Sequence, residues 1–182
     1  MENMENNVKS ILITEEQLKA KIKELGKQIS KDYAGKPLLL VGILKGSLVF
    51  MADLMREIDI NCKIDFMSIS SYYSGTQSSG QVRIVLDLNK PVKDYDLLIV
   101  EDILDSGITL SYIKQLLLPR CPRSIKICTL LDKPDRRKAD IVADYCGFTI
   151  PDEFVIGYGL DYDEDYRNLP YVGIIKPEAV KQ

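Results

Sequence analysis

The sequence predicts an α/β fold, with a twisted and mainly parallel sheet flanked by helices in a single domain. Short apolar runs without polar alternation, which suit strands buried on both faces, alternate along the chain with segments of helical apolar spacing. Such alternation produces parallel sheets with right-handed crossovers. The 182 residues are 46% hydrophobic, which suits one full-sized core, and no linker-like stretch separates two halves.

In the first third of the chain, two predicted helices enclose a strand. Thr14-Glu-Glu-Gln17 has the form of a capping box, and apolar residues at helical spacing extend the helix to about Tyr33. The uninterrupted apolar run 38–44 predicts a buried strand. Ser47 is expected to cap a second helix, which ends near Ile58 and should be well buried because apolar residues cover most of its surface.

The middle of the chain continues this alternation. Apolar runs predict strands at 64–73 and 82–88, which a Ser/Gly-rich loop joins into a hairpin. A further strand begins at Asp96, a helix is expected over 108–118, and another strand over 125–131. These elements supply the parallel sheet and its crossovers.

The two ends of the chain are expected to form a smaller unit. Residues 1–182 are interpreted as one domain, with the core sheet at about 35–135. The segments at about 1–34 and 140–182 are expected to contribute to a hood subdomain, meaning a small lobe over the sheet. The second of these segments holds only short strand-like pieces, such as 172–175, which Gly, Pro and Asp residues interrupt.

Composition and charge exclude several classes of protein. The formal net charge is −3, from 24 basic and 27 acidic residues, and without a long basic block a nucleic-acid partner is not expected. The longest apolar run is far too short to span a bilayer, so no membrane partner is expected. The polar, acidic first seven residues do not resemble a signal peptide, and the four cysteines lack C-x-x-C spacing. A cytoplasmic protein is therefore expected.

Histidine is absent from the sequence, and this absence restricts the chemistry. It excludes Ser-His-Asp triads, Cys-His pairs and histidine-ligated zinc. A general acid or base must then be Asp, Glu, Lys, Tyr or Cys. Any metal site is expected to use oxygen ligands, which favour a hard ion such as Mg²⁺.

The segment 97–109, Leu-Leu-Ile-Val-Glu-Asp-Ile-Leu-Asp-Ser-Gly-Ile-Thr, has the strongest functional signal. Ligands bind at the carboxyl ends of strands in open parallel sheets. The turn 105–109 suits a phosphate, because Gly107 allows close approach and the helix N-terminus presents N–H donors. The hydroxyls of Ser106 and Thr109 add further hydrogen-bond donors.

Glu101 and Asp102, just before this turn, are unsuited to phosphate because like charges repel. They suit hydrogen bonds from a ribose diol, directly or through Mg²⁺. A phosphate cradle beside a diol acceptor describes a ribose 5-phosphate site. The alternative interpretation is a solvated acidic strand end followed by a capped helix.

Residues 100–109 resemble the phosphoribosyl-pyrophosphate motif of the type I phosphoribosyltransferases, and the nearest match among them is the hypoxanthine-guanine phosphoribosyltransferase family. The resemblance extends in order from about residue 10 to 176. It implies a type I phosphoribosyltransferase-like sheet with a hood. It also implies that the ribose phosphate is bound by Glu101, Asp102, Asp105, Ser106, Gly107, Ile108 and Thr109.

Other segments resemble further parts of the same family. Lys45 and Gly46 resemble its first loop, in which a strained peptide exposes N–H groups to pyrophosphate. Ser71 and Tyr72, with the Ser/Gly stretch after them, resemble its mobile lid. Lys133 resembles the lysine that donates to O6 of the purine and so excludes adenine. An exposed loop lysine is the alternative for this residue.

The segment 154–167 resembles the region that stacks on the base and contacts pyrophosphate. In this resemblance Phe154 stacks on the purine, although a core phenylalanine is a competing interpretation, and the backbone of Val155 pairs with the purine edge. The purine site is completed by Leu160 and Asp161. Asp161 also binds a second Mg²⁺, so that the implied metal ligands are Glu101, Asp102 and Asp161.

Asp105 resembles the family's proton acceptor at purine N7, with helix capping as its alternative role. Arg167 and Lys45 would hold the departing pyrophosphate, where negative charge accumulates. Arg136, Arg137 and Lys138 are interpreted as a solvated basic loop without a role.

The resemblance implies a magnesium-dependent transfer of the phosphoribosyl group from phosphoribosyl pyrophosphate to a 6-oxopurine, within purine salvage, by a homo-oligomer that is a dimer or a tetramer. One alternative is a xanthine-preferring enzyme on the same fold. A regulatory protein that senses nucleotides and a diphosphokinase on a related fold are less compatible with the base-contacting segments.

Overall fold

The computed structural model of the chain describes residues 4–71 and 82–180. Its helices and strands follow the predicted alternation. In chain order they are β1 (Val8–Ile13), α1 (Glu15–Asp32), β2 (Leu38–Leu44), α2 (Leu48–Glu57), β3 (Cys62–Ser71), β4 (Val82–Leu86), β5 (Asp96–Leu104), α3 (Ile108–Leu117), β6 (Ser124–Asp132), β7 (Tyr145–Thr149), β8 (Val155–Ile156) and β9 (Val172–Ile175).

The main sheet has the strand order β4-β3-β2-β5-β6-β7, in which β4 pairs antiparallel with β3 and the other neighbours are parallel. This arrangement confirms the predicted α/β fold and the β3–β4 hairpin. The chain passes from β2 to β3 on one side and from β5 to β6 on the other. Ligands in such sheets bind outside the carboxyl ends of the strands where this reversal occurs, here between β2 and β5.

Helices cover both faces of the main sheet, which explains the uninterrupted apolar runs. Successive strand residues face opposite sides. In β2, Leu38 and Leu40 pack in the same core as α1 and α2. Leu39 and Val41 pack in a second core with α3. Both sides of the strand must therefore be apolar.

The remaining strands form a three-stranded sheet in the order β1-β9-β8. This sheet joins the two ends of the chain and is compatible with the predicted hood, whose boundaries stay a prediction. Strand β1 was not predicted, because its residues alternate poorly and its partner is distant in sequence. Strand β7, in the segment expected to contribute to the hood, instead extends the main sheet beside β6.

The predicted capping box of α1 is confirmed: the Thr14 hydroxyl accepts from the Gln17 N–H, and the Gln17 side chain accepts from the Thr14 N–H. The prediction for α2 was wrong in two respects. Ser47 occupies the N-cap position as predicted, but its hydroxyl donates to the Ile43 carbonyl, 2.6 Å away, and makes no cap hydrogen bond with the helix. Leu48 is 51% exposed, so the helix is less buried than expected.

Within 4–71 and 82–180, none of the helices combines the length and the apolar character that crossing a membrane requires.

Gly26 provides a test of the packing between α1 and α2. A Cβ atom at this position would lie 2.5 Å from the Glu57 carbonyl oxygen. Gly26→Ala gains about 1 kcal/mol of helix propensity but adds overpacking of about 1–3 kcal/mol. We expect a net loss of stability, measured by thermal unfolding. Lys27→Ala, on the exposed side of the same helix, is the control and should leave the melting temperature nearly unchanged. A melting temperature raised by Gly26→Ala would contradict the packing.

Candidate active site

Three loops meet at the carboxyl ends of β2 and β5. Gly46, after β2, touches Asp102 so closely that a Cβ on the glycine would lie 1.8 Å from the Asp102 Oδ2 atom. Gly159 has a φ of +99°. A Cβ atom on Gly159 would lie 2.2 Å from the carbonyl oxygen of Gly46. The peptide bond between Leu44 and Lys45 is cis. Both glycines are therefore required where the loops approach each other.

Glu101 lies within β5, because this strand continues to Leu104. One of its carboxylate oxygens, Oε2, is buried without a hydrogen-bond partner among the described residues. Burial, followed by the charge of Asp102, raises the pKa of Glu101 well above its usual range. The alternative of a solvated acidic strand end is therefore wrong for Glu101.

Asp102 accepts a hydrogen bond from the Ile103 N–H at 2.9 Å. Burial raises the pKa of Asp102 to about 6, although the nearby Arg167 lowers it. The two neighbouring carboxylates thus lie in a site that disfavours their charge. Donors of a bound ligand or a cation would relieve this unfavourable environment.

The turn after β5 encloses a small cavity of about 70 Å³, which Glu101, Asp105, Ser106, Gly107 and Thr109 help to line. Gly107, with a φ of +76°, precedes α3 directly. Its left-handed conformation favours glycine, and the first N–H group of the helix, that of Ile108, donates to the Ser106 hydroxyl at 3.5 Å. The turn predicted to bind a phosphate thus lies at the N-terminus of a helix of ten residues.

The Asp105 side chain does not cap α3, since the N-cap position belongs to Gly107 and the side chain that accepts from the Ile108 N–H is that of Ser106. Its Oδ1 atom lies 3.4 Å from Arg136 Nε, without a hydrogen bond. The carboxylate is 42% exposed. The Asp105 carboxylate is therefore not used to cap the helix. It lies at the same end of β5 as the turn predicted to bind a phosphate.

Lys133 is buried, with only 6% of its surface exposed, so the exposed-lysine alternative is wrong. Its Nζ atom donates to the Glu153 carbonyl at 2.6 Å, and its backbone N–H donates to the Leu104 carbonyl at 3.0 Å. Burial lowers the pKa of Lys133, while the charge of Asp105 opposes this shift. The ammonium group and the Asp105 carboxylate therefore lie at the ends of adjacent strands.

Phe154 is 49% exposed, which contradicts the interpretation as a core residue. Its ring makes an edge-to-face contact with Tyr162, with centroids 5.8 Å apart. Val155, at the start of β8, and Leu160 are buried. The Phe154 ring is thus available to a ligand, whereas the side chains of Val155 and Leu160 support the loop from inside.

Charged side chains connect the loop after β2 with the loop around Asp161. Lys45 Nζ lies 2.7 Å from Glu164 Oε2, and the two side chains are exposed. Arg167 pairs with Asp161 at 2.8 Å and donates to the Gly159 carbonyl at 2.7 Å. Glu164 and Gly159 were not among the predicted site residues. The contact of Lys45 with Glu164 has no local sequence signal, because it joins loops that are distant in the chain.

Arg137 corrects the interpretation of 136–138 as a solvated basic loop. Its side chain is 18% exposed and pairs with Asp132. It also donates to the carbonyls of Leu104 and Asp105. Its neighbour Arg136, by contrast, is 52% exposed.

The structure describes part of the expected lid and all three of the expected metal ligands. Ser71 is the last residue of β3, and Tyr72 lies outside the described residues. Among the described residues, no three His, Cys, Asp or Glu side chains form a group that could hold a metal ion. Glu101, Asp102 and Asp161 therefore do not form one protein-only metal site, which agrees with the tendency of Mg²⁺ to keep water and substrate oxygens as ligands.

Comparisons with known proteins agree with this geometry. The family model of the phosphoribosyl transferase domain matches residues 9–163. A hypoxanthine-guanine phosphoribosyltransferase of Staphylococcus aureus is 58% identical over 176 residues, which cover 97% of this chain and 98% of the relative.

Two crystal structures extend the comparison. A hypoxanthine phosphoribosyltransferase from Staphylococcus aureus has 56% identity and a TM-score of 0.95, over 100% of both chains. A hypoxanthine-guanine phosphoribosyltransferase from Bacillus anthracis has 46% identity and a TM-score of 0.88, over 93% of this chain and 98% of the other. The chain therefore belongs to the hypoxanthine-guanine phosphoribosyltransferase family, within the larger family of phosphoribosyl transferase domains.

Proposed function

We propose that this protein transfers the 5-phosphoribosyl group from phosphoribosyl pyrophosphate to N9 of hypoxanthine or guanine, giving IMP or GMP and pyrophosphate. The observation that carries the proposal is the position of Asp105 and Lys133 at the ends of the adjacent strands β5 and β6. A proton acceptor and a buried cation side by side suit a purine that carries an oxygen at C6. Family membership supports the same reaction.

The ribose 5-phosphate is held by the end of β5 and the first turn of α3. Backbone N–H groups of the turn 105–109 and the hydroxyls of Ser106 and Thr109 donate to the phosphate. Glu101 and Asp102 accept from the ribose diol, which suits the unpartnered Glu101 Oε2 atom. Binding thus supplies donors to a carboxylate pair that is unfavourably buried without them.

Glu101 and Asp102 are also the residues that would hold Mg²⁺ with the sugar, and Asp161 would hold a second ion through water. The chemistry of the donors fits, because all three offer carboxylate oxygens. When bound, Mg²⁺ neutralises charge on the pyrophosphate leaving group. Lys45 and Arg167 contribute fixed positive charge to the same group.

The purine lies between Phe154, which stacks on its ring, and Lys133, whose ammonium donates to O6. The backbone of Val155 pairs with the purine edge, and Leu160 supports this loop. As the N9–C1′ bond forms and the C1′–O bond to pyrophosphate breaks, the N7 proton passes to the Asp105 carboxylate. Electrons of the broken bond leave with pyrophosphate. The homo-oligomeric state and the cytoplasmic location stay predictions.

Asp105→Asn tests the proton transfer. An amide cannot accept the N7 proton, so turnover should fall by about 10² or more, while affinity for IMP is largely kept. Steady-state kinetics and calorimetric titration with IMP give the two quantities. Asp135→Asn, an exposed acid on the neighbouring loop, is the control. Near-normal turnover of Asp105→Asn would remove Asp105 from the mechanism.

Chelation tests the need for metal. EDTA should abolish transfer, and excess Mg²⁺ should restore it. Full activity of the enzyme in chelator would contradict the assignment of the carboxylates.

Asp102→Asn tests the cost of the buried carboxylate. The pKa of Asp102 is raised to about 6 in the folded protein, so its ionisation lowers stability as the pH rises from about 4 through 6. The variant should be more stable than the original by about 1–3 kcal/mol at pH 8 and similar at pH 4. It should also lose activity. Unfolding at the two pH values measures this, and equal stability at pH 8 would refute the unfavourable burial.

Lys133→Gln tests the substrate class. A buried donor facing O6 rejects adenine because the donor would remain unpaired, whereas Gln offers both a donor and an acceptor. Activity on 6-oxopurines should fall by about 1–3 kcal/mol of transition-state binding, and their preference over adenine should narrow. Rates with hypoxanthine, guanine, xanthine and adenine give the measurement, with the exposed Lys138→Gln as control. Full activity with unchanged rejection of adenine would mean that Lys133 does not select the base.

A further inference from the structure

The backbone carbonyls at the end of β5 are held by one short segment of the chain. Arg137 Nη1 donates to the Asp105 carbonyl at 2.7 Å and to the Leu104 carbonyl at 3.3 Å. The N–H groups of Lys138 and Ala139 both donate to the Ser106 carbonyl, at 2.9 and 3.1 Å. Three successive carbonyls are thus bound by residues 137–139.

These contacts orient the N–H groups of the turn. In a trans peptide the C=O and the following N–H point in opposite directions. Because Arg137 holds the Asp105 carbonyl, the Ser106 N–H points away from Arg137. Because Lys138 and Ala139 hold the Ser106 carbonyl, the Gly107 N–H points away from their N–H groups. Within the described residues neither N–H group has a hydrogen-bond partner, so both are free to donate to a ligand.

The Arg137 side chain is itself fixed. Its second terminal nitrogen pairs with Asp132, and both side chains are largely buried. Its Cδ atom lies 3.2 Å from the place of a Cβ on Gly107, so the side chain packs directly under the turn. Arg137 therefore makes three contacts, one with the Asp132 carboxylate and two with backbone carbonyls. Its neighbours Arg136 and Lys138 have exposed side chains.

The Leu104 carbonyl connects the turn that follows β5 with Lys133, which follows β6. The Leu104 carbonyl accepts from Arg137 and also from the backbone N–H of Lys133. The turn that follows β5 and the lysine that follows β6 are thus anchored at one atom. A planar guanidinium can donate to Asp132 and to both carbonyls at once, which the single ammonium of a lysine cannot do in this geometry.

We propose that Arg137 is a positioning residue, which holds the Asp105 carbonyl and so turns the Ser106 N–H group toward the 5′-phosphate of the ribose. The proposal rests on the proposed function, because the phosphate is that of the nucleotide. Arg137 does not touch the ligand and acts through the peptide groups that it holds. Its loss should reduce the contribution of the phosphate to binding more than the contribution of the base or the sugar.

The test compares IMP with inosine, which lacks the phosphate. Dissociation constants of both are measured by calorimetry for the unchanged protein, Arg137→Met and the exposed control Lys138→Met. In Arg137→Met the ratio of the inosine constant to the IMP constant should fall about 10-fold or more, since a hydrogen bond to a charged group is lost. The control should keep the original ratio. A general loss of structure would weaken the binding of both ligands and leave the ratio of their dissociation constants unchanged. That result would overturn the proposal.

Arg137→Lys covers the case in which the methionine variant does not fold. It keeps the charge beside Asp132, and its ratio should still fall because it cannot hold both carbonyls. An unchanged ratio in Arg137→Lys and in any folded Arg137→Met would overturn the proposal. Transfer activity of the unchanged protein is measured first. Its absence would contradict the proposed function, whereas an active enzyme with unaltered ratios in the variants would contradict only the role of Arg137.

Discussion

The parallel pairing of β2 with β5 is the constraint on which the site depends. The two strands lie side by side from Leu38 to Gly42 of β2, so the loops that follow them leave the sheet at the same edge. Helices α2 and α3 then cross to opposite faces of the sheet, and neither covers this edge. The gap is where Gly46 meets Asp102 and where the turn before α3 opens.

The same edge is where the protein departs from ordinary packing. A folded chain normally pairs its buried polar atoms, yet Glu101 Oε2 and Arg167 Nε are buried without hydrogen-bond partners among the described residues. Burial also disfavours the charges of Asp102 and Lys133. Of these groups, Glu101 also lines the small cavity of the turn after β5. A ligand with phosphate, diol and carbonyl groups has the complementary donors and acceptors.

Much of the fold could be predicted from the sequence, because its signals are local. The run 38–44 matches β2 in full, and the capping box at Thr14 marks the start of α1. Strand β1 could not be predicted, since a distant partner strand decides its pairing, and strand β7 has a weak signal because it is short and contains a glycine. The motif at 100–109 indicated the site residues, but burial of Glu101 and Lys133 runs against the polarity of their side chains. The proposed role of Arg137 depends on contacts with backbone carbonyls, which every residue has and which a sequence pattern therefore does not indicate.

The contact between Gly46, Asp102 and Gly159 has a consequence for how this protein can diverge. A methyl group added at Gly46 would collide with Asp102, and one added at Gly159 would collide with the backbone of Gly46 in a loop distant in the chain. Neither position can drift independently, because a change in one loop demands a matching displacement of the other. These two positions should therefore resist replacement even by alanine.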